Sequence, residues 1–217
     1  MVTAGELRVD GARPLSAGVV EGLLALCDRS EDEAGRGVTV VHVGGVPEAG
    51  WADELSVGLV TKWERAVRRF ERVPRSTVAV ASGDCGGTAL DVLLAAQFRI
   101  VSPGTRLCVS TGHGATWPGM SLYRLARQAT VGSIRRAALL GVPVPAPAAM
   151  ALGLVDEVTD DPDAALAGLA EAAAGIDGKE LAIRRQLILD AARTSFEDAL
   201  GSHLAACDRA LRRSAEA

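Results

Sequence analysis

Residues 76–101 read STVAVASGDCGGTALDVLLAAQFRIV. Ser76 to Ala81 is almost wholly apolar and partly β-branched, the pattern of a strand buried on both faces. Gly83 to Gly87 predicts a glycine-rich turn, Thr88 to about Ala96 a helix, and Phe98 to Val101 a short strand. Glycine accepts positive φ and lets a ligand approach the backbone closely. The first amides of a helix have no carbonyl one turn back, so they point outward with partial positive charge. A strand, a glycine turn and a helix in direct succession therefore equip the chain to stabilise an oxyanion, such as a thioester enolate.

The flanking sequence extends the same alternation. Upstream, Glu6 to Asp10 and Gly37 to Val43 read as strands, and Ser16 to Cys27 as a helix. From Glu54 to Glu71 the positions Leu55, Leu59, Trp63, Val67 and Phe70 recur at steps of three or four and define one helix face. Downstream, Leu107 to Ser110 predicts a strand, followed by a loop to Pro118 and a helix to about Gln128. Helices are expected from Val131 to Leu140, ended by Gly141, and from Pro147 to Leu152, ended by Gly153; Leu154 to Val158 reads as a strand. Beyond Asp160-Asp161-Pro162 the pattern is entirely helical, and Ser195 with Asp198 predicts a capped last helix. Its stripe of Phe196, Leu200, Leu204, Cys207 and Leu211 needs a cover, from this chain or from a neighbouring subunit. Strands alternating with helices imply parallel strands joined by crossovers. The expected class is α/β, with a core over residues 1–160 and a helical region over 161–217.

Composition narrows the function classes. The chain has 217 residues, 48% apolar and 23% charged, as in ordinary soluble domains, with aromatics at only 3%. A net charge of -4 gives no electrostatic reason to expect a nucleic-acid partner. Arg65, Arg68, Arg69, Arg72 and Arg75 alternate with Glu64 and Glu71, which reads as a solvated helix face with ion pairs. Cys27, Cys85, Cys108 and Cys207 form no C-x-x-C pair, so zinc is not expected. No apolar run reaches the ~18 residues of a membrane span, and no leader-like start is evident. A reduced, cytoplasmic protein without a membrane partner is expected.

Three ordered segments resemble the crotonase (enoyl-CoA hydratase/isomerase) superfamily. Gly87-Thr88-Ala89-Leu90-Asp91-Val92-Leu93-Leu94-Ala95-Ala96-Gln97-Phe98-Arg99-Ile100 is similar to its GGG-L-E-L-A-L-A-C-D-I-R-I segment. Trp117-Pro118-Gly119-Met120-Ser121-Leu122-Tyr123-Arg124-Leu125 resembles its P-G-x-G-x-x-x-R-L pattern, one residue shorter. Leu139-Leu140-Gly141 and Ala148 to Val158 resemble its L-x-G…A-x-x-x-G-L-V-x-x-V run. The resemblance implies a ββα spiral core, a C-terminal oligomerisation region (a homotrimer or a multiple of it) and an acyl-CoA substrate. It implies no metal or redox cofactor, coenzyme A being part of the substrate. The runs SGDCGGTALD and ATWPGM further resemble the small auxiliary hydratase-like members of 3,5-dihydroxyphenylacetyl-CoA synthesis. That implies partnership with a type III polyketide synthase, in dehydration and aromatisation of a CoA-bound polyketide on the way to dihydroxyphenylglycine.

By resemblance, the first catalytic glutamate maps onto Asp91 and the second onto Thr111, which has no carboxylate. Thr88-x-x-Asp91 is equally a helix-capping pattern, so Asp91 is a candidate either for proton transfer or for capping. The resemblance places oxyanion N–H donors at Thr88 and at Trp51, and the substrate pocket near Gly86, Gly87, Ala89, Thr111, Trp117, Pro118 and Gly119. Trp51 and Trp117 can be core or pocket wall. His113 has a pKa suited to proton transfer and can equally be a solvated loop residue. With the second glutamate absent, a non-catalytic, thioester-binding accessory subunit is a competing expectation. A remoter one comes from Gly83-Asp84-Cys85-Gly86-Gly87, which resembles the nucleophile loop of chymotrypsin-like peptidases with cysteine for serine, His42 and Asp53 lying upstream. A helix immediately after that motif argues against a β-barrel peptidase.

Overall fold

The computed structural model describes residues 3–32, 37–112 and 114–216. Strand β1 (Thr3–Asp10), helix α1 (Ala17–Asp32), β2 (Val38–Gly45), α2 (Val57–Phe70), β3 (Ser76–Gly86), α3 (Gly87–Ala95) and β4 (Phe98–Val101) alternate as expected. Then follow β5 (Arg106–Cys108), the short hairpin β6 (Thr111–Gly112) and β7 (Ala115–Thr116), α4 (Met120–Gln128), α5 (Val131–Leu140), β8 (Val144–Pro145), α6 (Ala146–Ala151) and β9 (Glu157–Val158). Helices α7 (Pro162–Ala173), α8 (Gly178–Ala191) and α9 (Phe196–Glu216) complete the chain. The main sheet runs β1-β2-β3-β4-β9 and is parallel along that path; β5 extends it beside the end of β3, with β8 antiparallel to β5.

Strand periodicity divides the core in two. Val41, Val43, Ala79 and Ala81 face α1, α2 and α3. Their neighbours Val38, Val40, Val78 and Val80 face the other way, where Leu166, Ala170 and Ala173 of α7 cover them. The C-terminal region therefore begins with a helix that closes the second face of the sheet. Helix α3 is apolar nearly all round and buried along its length, as expected of a helix enclosed by other elements. The face read on α2 packs as expected, with Trp63, Val67 and Phe70 buried and Leu55 and Leu59 partly so.

Three local differences have physical causes. Of the turn expected over Gly83 to Gly87, all but Gly87 continues β3 through a register shift at left-handed Gly83, because Cys85 pairs with Gly45 of β2 and Leu107 of β5. Strand pairing near the C-terminal end of the core begins only at Asp156, since the Leu154 backbone is already committed. Its N–H donates to Ala149 O (2.8 Å) and its carbonyl accepts from Arg99 Nη1 (3.0 Å). In the arginine cluster, Arg68 makes the anticipated ion pair with Glu71, whereas Arg69 pairs with Glu31 and Asp28 of α1 and Arg75 is buried.

The ends of β1, β2 and β3 meet at backbone contact. Gly11 N–H donates to Gly44 O at 2.7 Å. A Cβ on Gly11 would lie 2.3 Å from Gly86 O and 2.6 Å from Gly45 O. Gly87 takes φ +52°, the left-handed conformation that starts α3 in its direction. Because the obstacles at Gly11 are backbone atoms, Gly11→Ala is expected to cost about 2 kcal/mol or more. Thermal unfolding should show its melting point several degrees below wild type. Gly104→Ala, which meets nothing within 4 Å, should melt with the wild type.

Candidate functional site

A small cavity of about 30 Å³ opens beside the start of α3. Gly87, Thr88, Leu90 and Asp91 of α3 line one side, with Trp63 and Glu64 of α2, Trp51, Ser110, Trp117 and Ser121 around it. The two indoles of Trp51 and Trp117 meet edge to face, centroids 5.1 Å apart. Trp51 Nε1 donates to Thr111 O at 3.2 Å, which fixes that wall to the β6–β7 hairpin.

The polar groups of the cavity follow from the order of the helix. Gly86 is the N-cap of α3, so Thr88 lies in its first turn and its amide has no partner within the helix. The preceding amide, Gly87 N–H, donates to Ser110 Oγ at 2.9 Å. Thr88 Oγ1 is buried and makes no hydrogen bond among the described residues, so Thr88-x-x-Asp91 is not a capping box here. Asp91 instead turns its carboxylate to α2, where Trp63 Nε1 donates to Oδ2 at 2.9 Å.

Behind Asp91 stands a buried guanidinium. Arg124 Nε donates to Glu71 Oε1 at 2.7 Å and Nη2 to Glu64 Oε2 at 3.1 Å, while Nη1 lies 3.9 Å from Asp91 Oδ1. Burial works against the charge of Arg124, but Glu71, Glu64 and Asp91 outweigh it and raise its pKa. Burial pushes the Asp91 carboxyl up to about 7, and the Glu64 carboxylate adds to the rise; the Trp63 N–H and Arg124 oppose it. Asp91 is therefore a buried carboxyl able to exist in both protonation states near neutrality, and it shares the cavity lining with Thr88 of the first turn. That pairing is suited to moving a proton beside a carbonyl whose oxygen gains charge.

No family model matches the chain. A relative from Amycolatopsis orientalis, named an enoyl-CoA-hydratase, is 66% identical over 209 residues, covering 96% of each chain. The chain belongs to the enoyl-CoA hydratase/isomerase (crotonase) superfamily. Solved structures share its fold. An enoyl-CoA hydratase/isomerase family protein from Silicibacter pomeroyi superposes at a TM-score of 0.80 with 18% identity, covering 98% of this chain and 97% of that one. An enoyl-CoA hydratase from Mycobacterium smegmatis gives 0.79 with 15% identity, covering 91% and 82%.

Within this crotonase fold the anticipated site residues separate into two groups. Gly87, Thr88, Asp91, Trp51 and Trp117 line the cavity; Gly86, Ala89, Thr111, Pro118 and Gly119 do not. Ala89 is sealed in the core, and Gly86 packs its backbone against Val46 and Cys108. Thr111 contributes only the carbonyl that holds Trp51, its methyl lying toward Gly141. The Trp51 N–H, expected as an oxyanion donor, donates to Glu48 O at 3.3 Å, so Trp51 serves this crotonase as a wall. His113 lies outside the described residues. The peptidase alternative fails on geometry. Cys85 is fully buried, with burial driving its thiol pKa far up, and His42 Nε2 bonds Glu6 Oε1 at 2.7 Å. Sequence reasoning missed Trp63, Glu64 and Ser121; Arg124 had a signal, since it falls on the R-L of the second family motif.

Asp91 couples the crotonase site to stability. Its folded pKa of about 7 exceeds the ordinary 3.8, so between those values the folded state binds the extra proton. Stability from this group is fully present below about pH 4 and is lost as pH rises through 7. Asp91→Asn keeps an oxygen for Trp63 and cannot ionise. The stability gap between Asp91→Asn and wild type is expected to widen in favour of the variant by about 2–3 kcal/mol from pH 5 to pH 8. Urea titrations at the two pH values measure it; a constant gap would mean that Asp91 ionises as an ordinary aspartate.

Proposed function

We propose that the protein catalyses the reversible loss of water from a β-hydroxyacyl-CoA thioester. The observation that carries the reading is that Asp91 and Thr88, a first-turn residue of α3, line one cavity. The thioester oxygen accepts from Thr88 N–H at the positive end of α3, which favours the enolate. The Asp91 carboxylate takes the α-proton; as the acid, it then returns that proton to the departing β-hydroxyl. The C–O bond breaks, the α,β double bond forms, water leaves and Asp91 is again a carboxylate. A carboxyl with a pKa of about 7 suits both halves of this exchange, since one group must act as base and then as acid.

The acyl group we favour is a CoA-bound polyketide that becomes aromatic on losing water, en route to 3,5-dihydroxyphenylacetyl-CoA, with a type III polyketide synthase as the functional partner. The SGDCGGTALD and ATWPGM runs support it, and the Trp51–Trp117 pair gives the cavity an aromatic wall. A second reading, a thioester-binding accessory subunit, draws on the missing carboxylate at Thr111. The purified protein should interconvert 3-hydroxybutyryl-CoA and crotonyl-CoA, or raise the yield of dehydrated product when added to the synthase with malonyl-CoA. Asp91→Asn should lower either activity by about a hundredfold or more. Assistance that survives in Asp91→Asn would favour the accessory reading.

We also propose a homo-oligomer, a trimer or a multiple of it. The α9 stripe of Phe196, Leu200, Leu204 and Leu211 is exposed on this chain. Arg209 and Arg213 dock α9 to Glu180 of α8, leaving the apolar side outward. Light scattering should give a multiple of 22.4 kDa, and Leu204→Asp should shift the population toward the monomer.

A further inference from the structure

Glu64 lines the same cavity as Asp91 and shares one cation with it. Around the Arg124 guanidinium stand three carboxylates, from Glu64, Glu71 and Asp91, and Arg68 brings a second positive charge to Glu71 at 2.6 Å. Ionising all three would leave an uncompensated negative charge in a largely buried cluster, so one of them favours the proton. Glu71 and Glu64 hold the guanidinium at 2.7 and 3.1 Å, whereas Asp91 is 3.9 Å away and has only a neutral indole donor. The proton therefore belongs to Asp91, which lines the cavity together with Thr88. We propose that Glu64 is a positioning residue of this site: by occupying Arg124 and adding its own negative charge at the cavity wall, it reserves the shared proton for Asp91. The proposal deepens the reading of Asp91 as the group that moves the proton.

Asp91 is faced by Trp63 and Glu64 from α2, by Arg124 from α4 with Glu71 behind it, and by the Cys85 thiol from β3. Burial keeps that thiol neutral, so the carboxylates, Arg124 and the Arg68 paired to Glu71 are the charges that set the outcome. Removing the charge of Glu64 acts twice in one direction. It takes away a repulsion, and it frees Arg124 Nη2 from its carboxylate, so the cation lowers the cost of ionising Asp91.

The test is a carboxyl ¹³C titration of the full chain labelled at aspartate, with Asp91→Asn identifying the resonance. Wild-type Asp91 should titrate near 7. In Glu64→Gln its midpoint should fall by about one pH unit or more, and Glu64→Asp, which keeps the charge, should restore most of the difference. An Asp91 midpoint unchanged in folded Glu64→Gln overturns the proposal. Labelling glutamate gives a reciprocal measurement that does not depend on that variant folding. The Glu64 resonance of the wild type should show a step at the Asp91 midpoint, absent in Asp91→Asn; no step there also overturns it. These readouts need no turnover. A shifted Asp91 midpoint with no CoA-ester chemistry in any sample would leave the coupling standing and remove the dehydratase reading; turnover with an unshifted midpoint would do the reverse.

Discussion

The site depends on how closely three backbones approach at the ends of β1, β2 and β3. Gly11 has no side chain, and its place is filled by the carbonyls of Gly86 and Gly45. That contact holds the end of β3 against its neighbours, so Gly86 stays extended and Gly87, at φ +52°, starts α3. Any side chain at Gly11 would push β1 away and loosen the point from which α3 starts. The direction of α3 in turn decides where its first amides point and where Asp91, one turn later, meets α2. A small steric fact in the fold thus sets the electrostatics of the cavity.

The interior location of α3 raises the stakes of its one ionisable side chain. Around Asp91 the helix is Thr, Ala, Leu, Val and Leu, enclosed by the sheet and by α2 and α4. A carboxylate there must find partners or stay protonated. The structure does both in part: an indole donor on one side, a shared guanidinium at longer range on the other. At the far end of the helix, Arg99 answers the opposite need. Its buried guanidinium donates to the carbonyls of Leu94 and Ala96, which close α3, and reaches Leu154 and Gln128. Burial lowers its pKa to about 10, still charged near neutrality. Both ends of one enclosed helix are therefore tied to α4, and the site inherits that rigidity.

Much of this was legible in the sequence because it is local. The β-branched runs of β2 and β3, the apolar face of α2 and the αL glycine at 141 follow from neighbours a few residues apart. What escaped the sequence was set by contacts across long separations. Gly83 to Gly87 is glycine-rich and reads as a turn, yet pairing with Gly45 and Leu107 keeps all of it but Gly87 within β3. Periodicity assigned Trp63 to a core face and Glu64 to a solvated one, but the two flank one cavity, because α4, some sixty residues on, brings Arg124 between α2 and α3. The Trp51 N–H is taken by Glu48 three residues earlier, and a motif match cannot see a turn of that kind.

The absence of a carboxylate at Thr111 then has a physical counterpart elsewhere. Two carboxyl groups at one reacting centre divide labour only if their pKa values are driven apart. Asp91 has no carboxylate opposite it across the hairpin; it has two others behind it, tied to Arg124. Such an arrangement tunes one group instead of supplying a second. It fits a reaction in which the same proton is removed and handed back on one face of the substrate, since the carrier needs access to both protonation states. Water addition directed from the hairpin side would need a base there, and Thr111 presents only a carbonyl already bonded to an indole. The chain keeps the crotonase fold, gathers Glu64, Glu71 and Arg124 behind α3, and uses the hairpin to hold an aromatic wall.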